Sequence, residues 1–546
     1  MCGNLNDDRS VGQGGSNVTS ASGLLGSLDF WIIGLYFGAI FLFGLWFANR
    51  SHSAEDYFLA GRKSIWPIVG LSLFASNISG TTLVGLAGDA YATGISVYNY
   101  EWLAAVILAF FAIFVLPFVI RARVFTMPEY LERRYDKRAR VYFSILTLFL
   151  TIVIDTAATL YAGGLLLKLF FPATPMWMTI TALAMFAGAY TIAGGLAAVM
   201  YTDSVQALIL LIGSTVISVI AYDAVGGWDA ITAAVPAEKL SLIRPLDDPG
   251  VPWLGLVAGA PLLGFYVWCN NQFMVQRVLS AKSVEHGRWG ALFGGLLKLP
   301  VLFLMVLPGT AAIILFPNLE RPDMVYPTLL THLLPTGLLG LVLAGFLAAL
   351  MSQVTSTVNS AATLVTMDFI KPKWPDLKAD RMVAVGRLVT LFILVAAILW
   401  APQIGQFESL FKYLQKILTY AVTPTVALFL VGGFWRGANA YGARATLTIG
   451  TLAGAFLFWQ IEFAGTFHLH FLYVAPLLFL LSCIVLVVAS RLKPGTEVGD
   501  VDQYVWTVAG YRAESEALKT LPWWQNYRLH ALLLTLVSTA IVISFW

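Results

Sequence analysis

Charge is what this sequence has least of. Of 546 residues only 12% are Asp, Glu, Lys or Arg, while 58% are hydrophobic; an ordinary soluble domain is about a quarter charged. A water-soluble protein of this length would lack the ionic groups to cover its surface, so most of that surface must face lipid. The net charge of +3 is too small and too dispersed to suggest a nucleic-acid-binding face. Cysteine is nearly absent: Cys2, Cys269 and Cys483 lie far apart and offer neither a disulfide framework nor a metal cluster. His52, His286, His332, His468, His470 and His530 are scattered, and no Ser/His/Asp or metal-ligand motif accompanies them, which argues against an enzyme. A basic n-region ahead of an apolar core is also missing, so residues 1–27 read as a disordered polar lead rather than a cleavable signal. Asn17-Val18-Thr19 within that lead matches a glycosylation sequon, either by chance or as an acceptor in a eukaryotic secretory pathway.

What the chain has in abundance is apolar runs. About 20 apolar residues cross the hydrocarbon core of a bilayer, and segments of that kind fall near 28–48, 66–88, 98–120, 141–169, 176–195, 202–222, 253–275, 288–317, 334–367, 382–402, 411–432, 442–461, 468–490 and 527–546. The expected fold is therefore an all-α integral membrane protein of fourteen transmembrane helices. Lys and Arg are retained on the cytoplasmic side. With the amino terminus outside, most of the 33 basic residues, Arg134, Arg277 and Arg288 among them, fall in cytoplasmic loops. Arg9, Lys168, Lys239, Arg244 and Arg321 then fall outside. Both termini are expected to be extracytoplasmic, in a plasma membrane or bacterial inner membrane. The long loop 491–526 is expected to be cytoplasmic and carries no recognisable domain.

Two runs break the apolar pattern with oxygen. Ala75-Ser76-Asn77-Ile78-Ser79-Gly80-Thr81-Thr82 interrupts the second segment. Unwinding there would free the carbonyls of Ala75 and Ile78 for a cation, while the same Gly and Ser also suit close helix packing. In the ninth segment, Ser352, Thr355 and Ser356 share one helix face; they fit either a hydroxyl-lined ion site or bonding back to the preceding turn. Charges inside spans are more demanding, at roughly 2.5 to 3.5 kcal/mol each even on mild insertion scales. Glu101 and Lys298 can hydrogen-bond a polar solute while offsetting each other's charge. Gln415 adds a neutral amide, and Trp268, in mid-segment, offers an indole face to a sugar ring or to the core. Asp155 and Asp203 are two further acids within spans.

These features together resemble the sodium/solute symporter family, in particular its sodium/glucose cotransporter branch. The resemblance rests on Asp56-Tyr57-Phe58-Leu59-Ala60-Gly61-Arg62, on Ala75-Ser76-Asn77-Ile78-Ser79, and on the stretch Thr191-Ile192-Ala193-Gly194-Gly195 through Tyr201-Thr202-Asp203. It continues through Gln276-Arg277-Val278-Leu279 and Asn359-Ser360, and returns in Trp523-Trp524-Gln525-Asn526-Tyr527-Arg528. It implies the inverted-repeat fold of the sodium-coupled leucine transporter. The extra helix would be 28–48, the two five-helix repeats 66–222 and 253–432, and three further helices 442–546. It implies a Na+ site on the carbonyls of Ala75, Ile78 and Ala349 and the hydroxyl of Ser352, with Gln353 standing where a second hydroxyl is usual. Asp203 matches an acid on the ion exit path, and Asp155 another acid near the ion.

For the solute, the resemblance transfers Asn77, Glu101, Trp268, Lys298 and Gln415. Thr82 replaces a histidine or glutamine, Gly264 a polar residue, and Val267 the tyrosine that closes the pocket, with Tyr266 beside it. The implied activity is sodium-coupled import of a hexose or related polyol by a monomer in the lipid bilayer. Open alternatives are myo-inositol or an acidic sugar as cargo, and a sodium-independent facilitator or solute-gated sensor.

Overall fold

The computed structural model describes residues 25–48, 54–78, 80–407, 409–494 and 501–546. The lead residues 1–24, with Cys2, Arg9 and the Asn17 sequon, lie outside the described residues, as do Arg50 and His52.

Among the described residues the regular structure is helical, apart from two isolated bridges. Eleven helical stretches are long and apolar enough to cross a membrane, or twelve when one bent pair counts as a span. We label the elements α1 (Ser27–Ala48), α2 (Trp66–Asn77), α3 (Gly80–Thr93), α4 (Ile95–Arg121), α5 (Lys137–Lys168) and α6 (Met176–Val225). They continue as α7 (Trp253–Asn270), α8 (Gln272–Leu279), α9 (Val284–Leu315), α10 (Leu338–Lys373), α11 (Arg381–Gln406) and α12 (Leu410–Phe434). The last are α13 (Ala440–Phe463), α14 (Phe471–Leu492), α15 (Val508–Lys519) and α16 (Tyr527–Ser544).

The count departs from the fourteen expected. Two of the apolar helices are short, Ser27–Ile40 and Met176–Gly188, and the second belongs to a helix of 50 residues, α6, covering both expected segments 176–195 and 202–222. At 1.5 Å per residue, Leu183 and Asp203 would lie about 30 Å apart on a straight helix. Leu183 and Leu350 instead both close on Gly163, while Asp203 accepts a hydrogen bond from Ser352, half a turn beyond Leu350. The two halves of α6 thus meet α10 at nearly one level, which a straight rod cannot do.

Two helices are broken in mid-span. The first break separates α2 from α3, which bend by 56°. Ile78 leaves the helix at φ −86°, ψ 80°, and the Thr82 hydroxyl donates to the Asn77 carbonyl at 2.6 Å. The second separates α7 from α8 at Asn271, whose backbone is extended and whose side chain accepts from the Phe273 amide at 3.2 Å. Polar side chains satisfy backbone groups at both breaks, as buried irregular backbone requires. Close approach elsewhere depends on glycine: a methyl on Gly70 of α2 would come within 2.8 Å of the Gly290 carbonyl of α9. Small residues let membrane helices pack backbone to backbone in this way.

Two features hold this frame. Asp29 of α1, fully buried, accepts from the amides of Gly337 at 2.6 Å and Gly340 at 2.7 Å, capping the start of α10. At the face carrying the basic loops, Arg134 donates to the carbonyls of Gly432, Trp435 and Ala438 at 2.8–2.9 Å, closing the end of α12. Arg134, Arg277 and Arg288, assigned above to cytoplasmic loops, are buried. Hydropathy missed them because each sits on a short or amphipathic helical stretch whose carbonyls and carboxylates satisfy the guanidinium. The loop 491–526 is also more than a connector. Its helix α15 carries Glu514, which pairs with Arg288 and, at 2.8 Å, with Arg528.

Candidate substrate and ion site

The two helix breaks face one cavity of about 140 Å³, room for roughly ten waters at the 10–15 Å³ that one water needs. That is the scale of a monosaccharide. Its wall includes Asn77, Thr82, Glu101, Val267, Trp268 and Gln415 from the sequence-based set, and also Asp155, Gly264 and Gln353. Lys298 and Tyr266 are buried behind the wall rather than in it.

Lys298, wholly buried on α9, reaches through the wall from behind. Its Nζ donates to Glu101 Oε2 at 2.7 Å and to Asn77 Oδ1, and it lies 5.3 Å from the centre of the Trp268 ring. One ammonium therefore ties α4 to the first break and to the indole of α7. Glu101 is fixed and neutralised by Lys298, so its second oxygen serves as an oriented acceptor beside the cavity. A hydroxyl-rich solute gains hydrogen bonds from such groups and apolar contact from the indole face. Gly264 opens the wall where a side chain would strike Ile107.

The ion ligands expected from the sequence lie on α2, at the first break and on α10. Ala75, Ile78, Ala349 and Ser352 are all buried, and the end of α2 leaves its last carbonyls without intrahelical donors. The Ser352 hydroxyl donates to Asp203. With its proton committed there, the oxygen lone pairs point away from Asp203 and are available to a cation. Asp203 also accepts from Ser72 at 2.6 Å, Ser76 at 3.2 Å and Arg277 at 3.1 Å. Arg277 in turn donates to Ser72 at 2.8 Å and to Ser356. These carbonyls and hydroxyls are the hard oxygens an alkali cation takes. Among the described residues, no cluster of three or more His, Cys, Asp or Glu suits a transition metal.

Gln353 bridges the two regions. Its carboxamide oxygen accepts from Thr81 at 3.4 Å, and the residue lines the solute cavity. Asp155 lies in a π-helical turn, Thr151–Thr156, and lines the cavity wall. The residues that sequence reasoning missed are Arg277, hidden in an amphipathic half-helix, and the wall residues Tyr100, Asn271 and Phe411. Of these, only the proximity of Tyr100 to Glu101 and of Asn271 to Trp268 in the chain gave a signal.

Comparison with known proteins agrees with this architecture. Residues 57–450 match the sodium:solute symporter family. The chain is 35% identical to sodium/glucose cotransporter 1 of Oryctolagus cuniculus, over 89% of this chain and 82% of that one. It is 36% identical to sodium/myo-inositol cotransporter 2 of Homo sapiens, over 78% and 69%. In fold it is similar to a Na+-coupled sialic acid symporter in a substrate-bound outward-open state, with a TM-score of 0.76 at 22% identity, covering 86% of this chain and 99% of that one. It is also similar to a nucleobase-cation-symport-1 family transporter, with a TM-score of 0.54 at 15% identity, covering 83% and 99%. The chain belongs to the sodium:solute symporter family, and is thus a multi-pass membrane protein that couples solute movement to Na+ rather than an enzyme.

Proposed function

We propose that this symporter imports a hexose or related polyol by alternating access through the cavity between the two broken helices. The observation that carries this reading is the convergence of Glu101, Asn77 and Trp268 on Lys298, which gives one wall both oriented polar groups and an apolar face. The names of the sodium/glucose and sodium/myo-inositol relatives support the same class.

Na+ enters first, bound by the carbonyls of Ala75, Ile78 and Ala349 and the hydroxyl of Ser352. It joins α2 to α10 and so braces the first break, whose Asn77 and Thr82 face the solute. Ion and solute thus favour the same closed arrangement, which is the linkage that coupling requires. When the site opens inward, Asp203 draws the ion from Ser352 and the solute follows. One charge moved through 100 mV supplies about 2.3 kcal/mol, and a tenfold Na+ gradient about 1.4 kcal/mol. One ion per cycle would therefore sustain roughly several hundredfold accumulation.

The topology that fits is fourteen spans: the eleven long helices, which include the second half of α6, then the bent pair α2–α3, α1 and the first half of α6. The repeats would be 66–222 and 253–432, with both termini extracytoplasmic in a plasma or bacterial inner membrane, and the monomer would be the working unit. A radiolabelled hexose uptake screen with competing polyols, in Na+ and in choline, tests the cargo. Competition confined to polyols and requiring Na+ is expected; competition by amino acids or nucleobases instead would overturn the assignment.

A further inference from the structure

The cavity wall is unbalanced in charge. Its two acids are Glu101 and Asp155, and no Lys, Arg or His lines it among the described residues. Glu101 is compensated from behind by Lys298 at 2.7 Å. Asp155 is held on the wall by its own turn of helix. The π turn Thr151–Thr156 is pinned on two sides, by a Thr156–Thr357 hydroxyl pair at 3.0 Å to α10 and by the Tyr413 hydroxyl donating to the Val153 carbonyl at 2.6 Å from α12. π turns interrupt α-helices mostly where a side chain must be aimed at a functional space. The remaining polar wall residues, among them Asn77, Thr82, Asn271, Gln353 and Gln415, are neutral and carry no countercharge.

We propose that Asp155 is a specificity-determining residue, whose carboxyl group faces the solute on a wall without a basic side chain, so that the transporter accepts neutral and amino-bearing sugars and rejects sugars that carry a carboxylate. The proposal rests on the sugar reading above and narrows it, removing the acidic sugar from the candidate cargoes. With Glu101 compensated by Lys298, Asp155 is the acid that would repel a solute carboxylate, and like-charge juxtaposition is how a binding site excludes a wrong partner. A protonated amine meets the opposite situation and gains a charge-assisted hydrogen bond.

The test is Na+-driven uptake of a labelled neutral hexose, with the matching aminohexose and hexuronate as competitors, in wild type, Asp155→Asn and Asp155→Glu. In wild type the aminohexose should compete at least as well as the hexose, and the hexuronate at least tenfold more weakly. Asp155→Asn should narrow the gap between aminohexose and hexuronate by about tenfold, while Asp155→Glu keeps its direction. An unchanged ratio in Asp155→Asn, with hexose uptake intact, would overturn the proposal. So would a shift in the Na+ concentration dependence with solute ratios unaltered, which would make Asp155 an ion residue. If wild type transports none of the three sugars, it is the sugar reading that fails.

Discussion

Lys298–Glu101 and Arg277–Asp203 are both buried ion pairs at the heart of the molecule, 2.7 Å and 3.1 Å long, yet they are built differently. The lysine pair is sparse: a single ammonium serves one carboxylate, one amide oxygen and an indole face. The arginine pair is dense, with Ser72, Ser76 and Ser352 on Asp203 and Ser72 and Ser356 on Arg277. A compact ammonium that holds one carboxylate oxygen leaves the other for a solute that comes and goes. A planar guanidinium surrounded by hydroxyls locks a carboxylate in place, which suits a group that must orient Ser352 for an ion and not move itself. The contrast separates a recognition pair from a scaffold pair.

The largest effect should come from breaking the scaffold pair on one side. Arg277→Met leaves Asp203 buried without its cation, a loss of about 3–5 kcal/mol, whereas Arg277→Met with Asp203→Asn should recover most of it. Folded yield and thermal unfolding in detergent measure both. A double variant as unstable as the single one would mean the pair is not what organises the serines. The double variant should still need more Na+ for half-maximal uptake, because a neutral amide oxygen holds the Ser352 hydroxyl more weakly than the carboxylate does.

The recognition pair should respond in the opposite manner. Lys298→Met with Glu101→Gln removes both charges, so folded yield should stay near wild type while solute uptake falls at least tenfold. The Na+ dependence of any residual transport should be unchanged. If the Na+ requirement rises instead, the two pairs do not divide the work as described.

The smallest effect lies at the face of the basic loops. Burial alone would raise the Glu514 carboxyl, but Arg288, Arg528 and the Tyr527 hydroxyl outweigh it and hold that carboxyl below its ordinary value of 4.5. Its folded value is depressed, so the docking of α15 gains stability above the unfolded value and loses it as pH falls through the folded one. Hydrogen exchange in α15 should quicken as pH drops below about 4.5, after correction for the intrinsic pH dependence of exchange, with a stability change of ~1 kcal/mol. Glu514→Gln should abolish that step. A step of equal size in the variant would assign it to another group.

How much of this was legible in the sequence depended on whether a residue stood out against its own segment. Lys298 did, as a charge within an apolar run, and so did Glu101; the structure joins them. Arg277 did not, because beyond the second break the span continues as a half-helix polar enough to read as loop, and nothing in the sequence marked the arginine as wholly buried. Of the two breaks, the first was visible as a run of Ser, Asn, Gly and Thr. Their geometry was not, since the bend depends on which side chains satisfy the released backbone. Hydropathy also marked two spans within α6, and the placement of Leu183 beside Gly163 and of Asp203 beside Ser352 fits that division. Gln353 shows what the structure adds: besides the ion position that the resemblance gives it, its carboxamide accepts from Thr81 and it lines the solute cavity.

The most direct test of the account is hexose accumulation in proteoliposomes holding the purified protein, with voltage and pH clamped and only the Na+ gradient varied. An inward Na+ gradient should drive transient accumulation above the external concentration, and an equimolar K+ gradient should not. Dissipating the Na+ gradient should release the accumulated sugar. Identical, substrate-specific uptake with and without the Na+ gradient would contradict the coupling between the Ser352 ion site and the Glu101–Lys298 cavity.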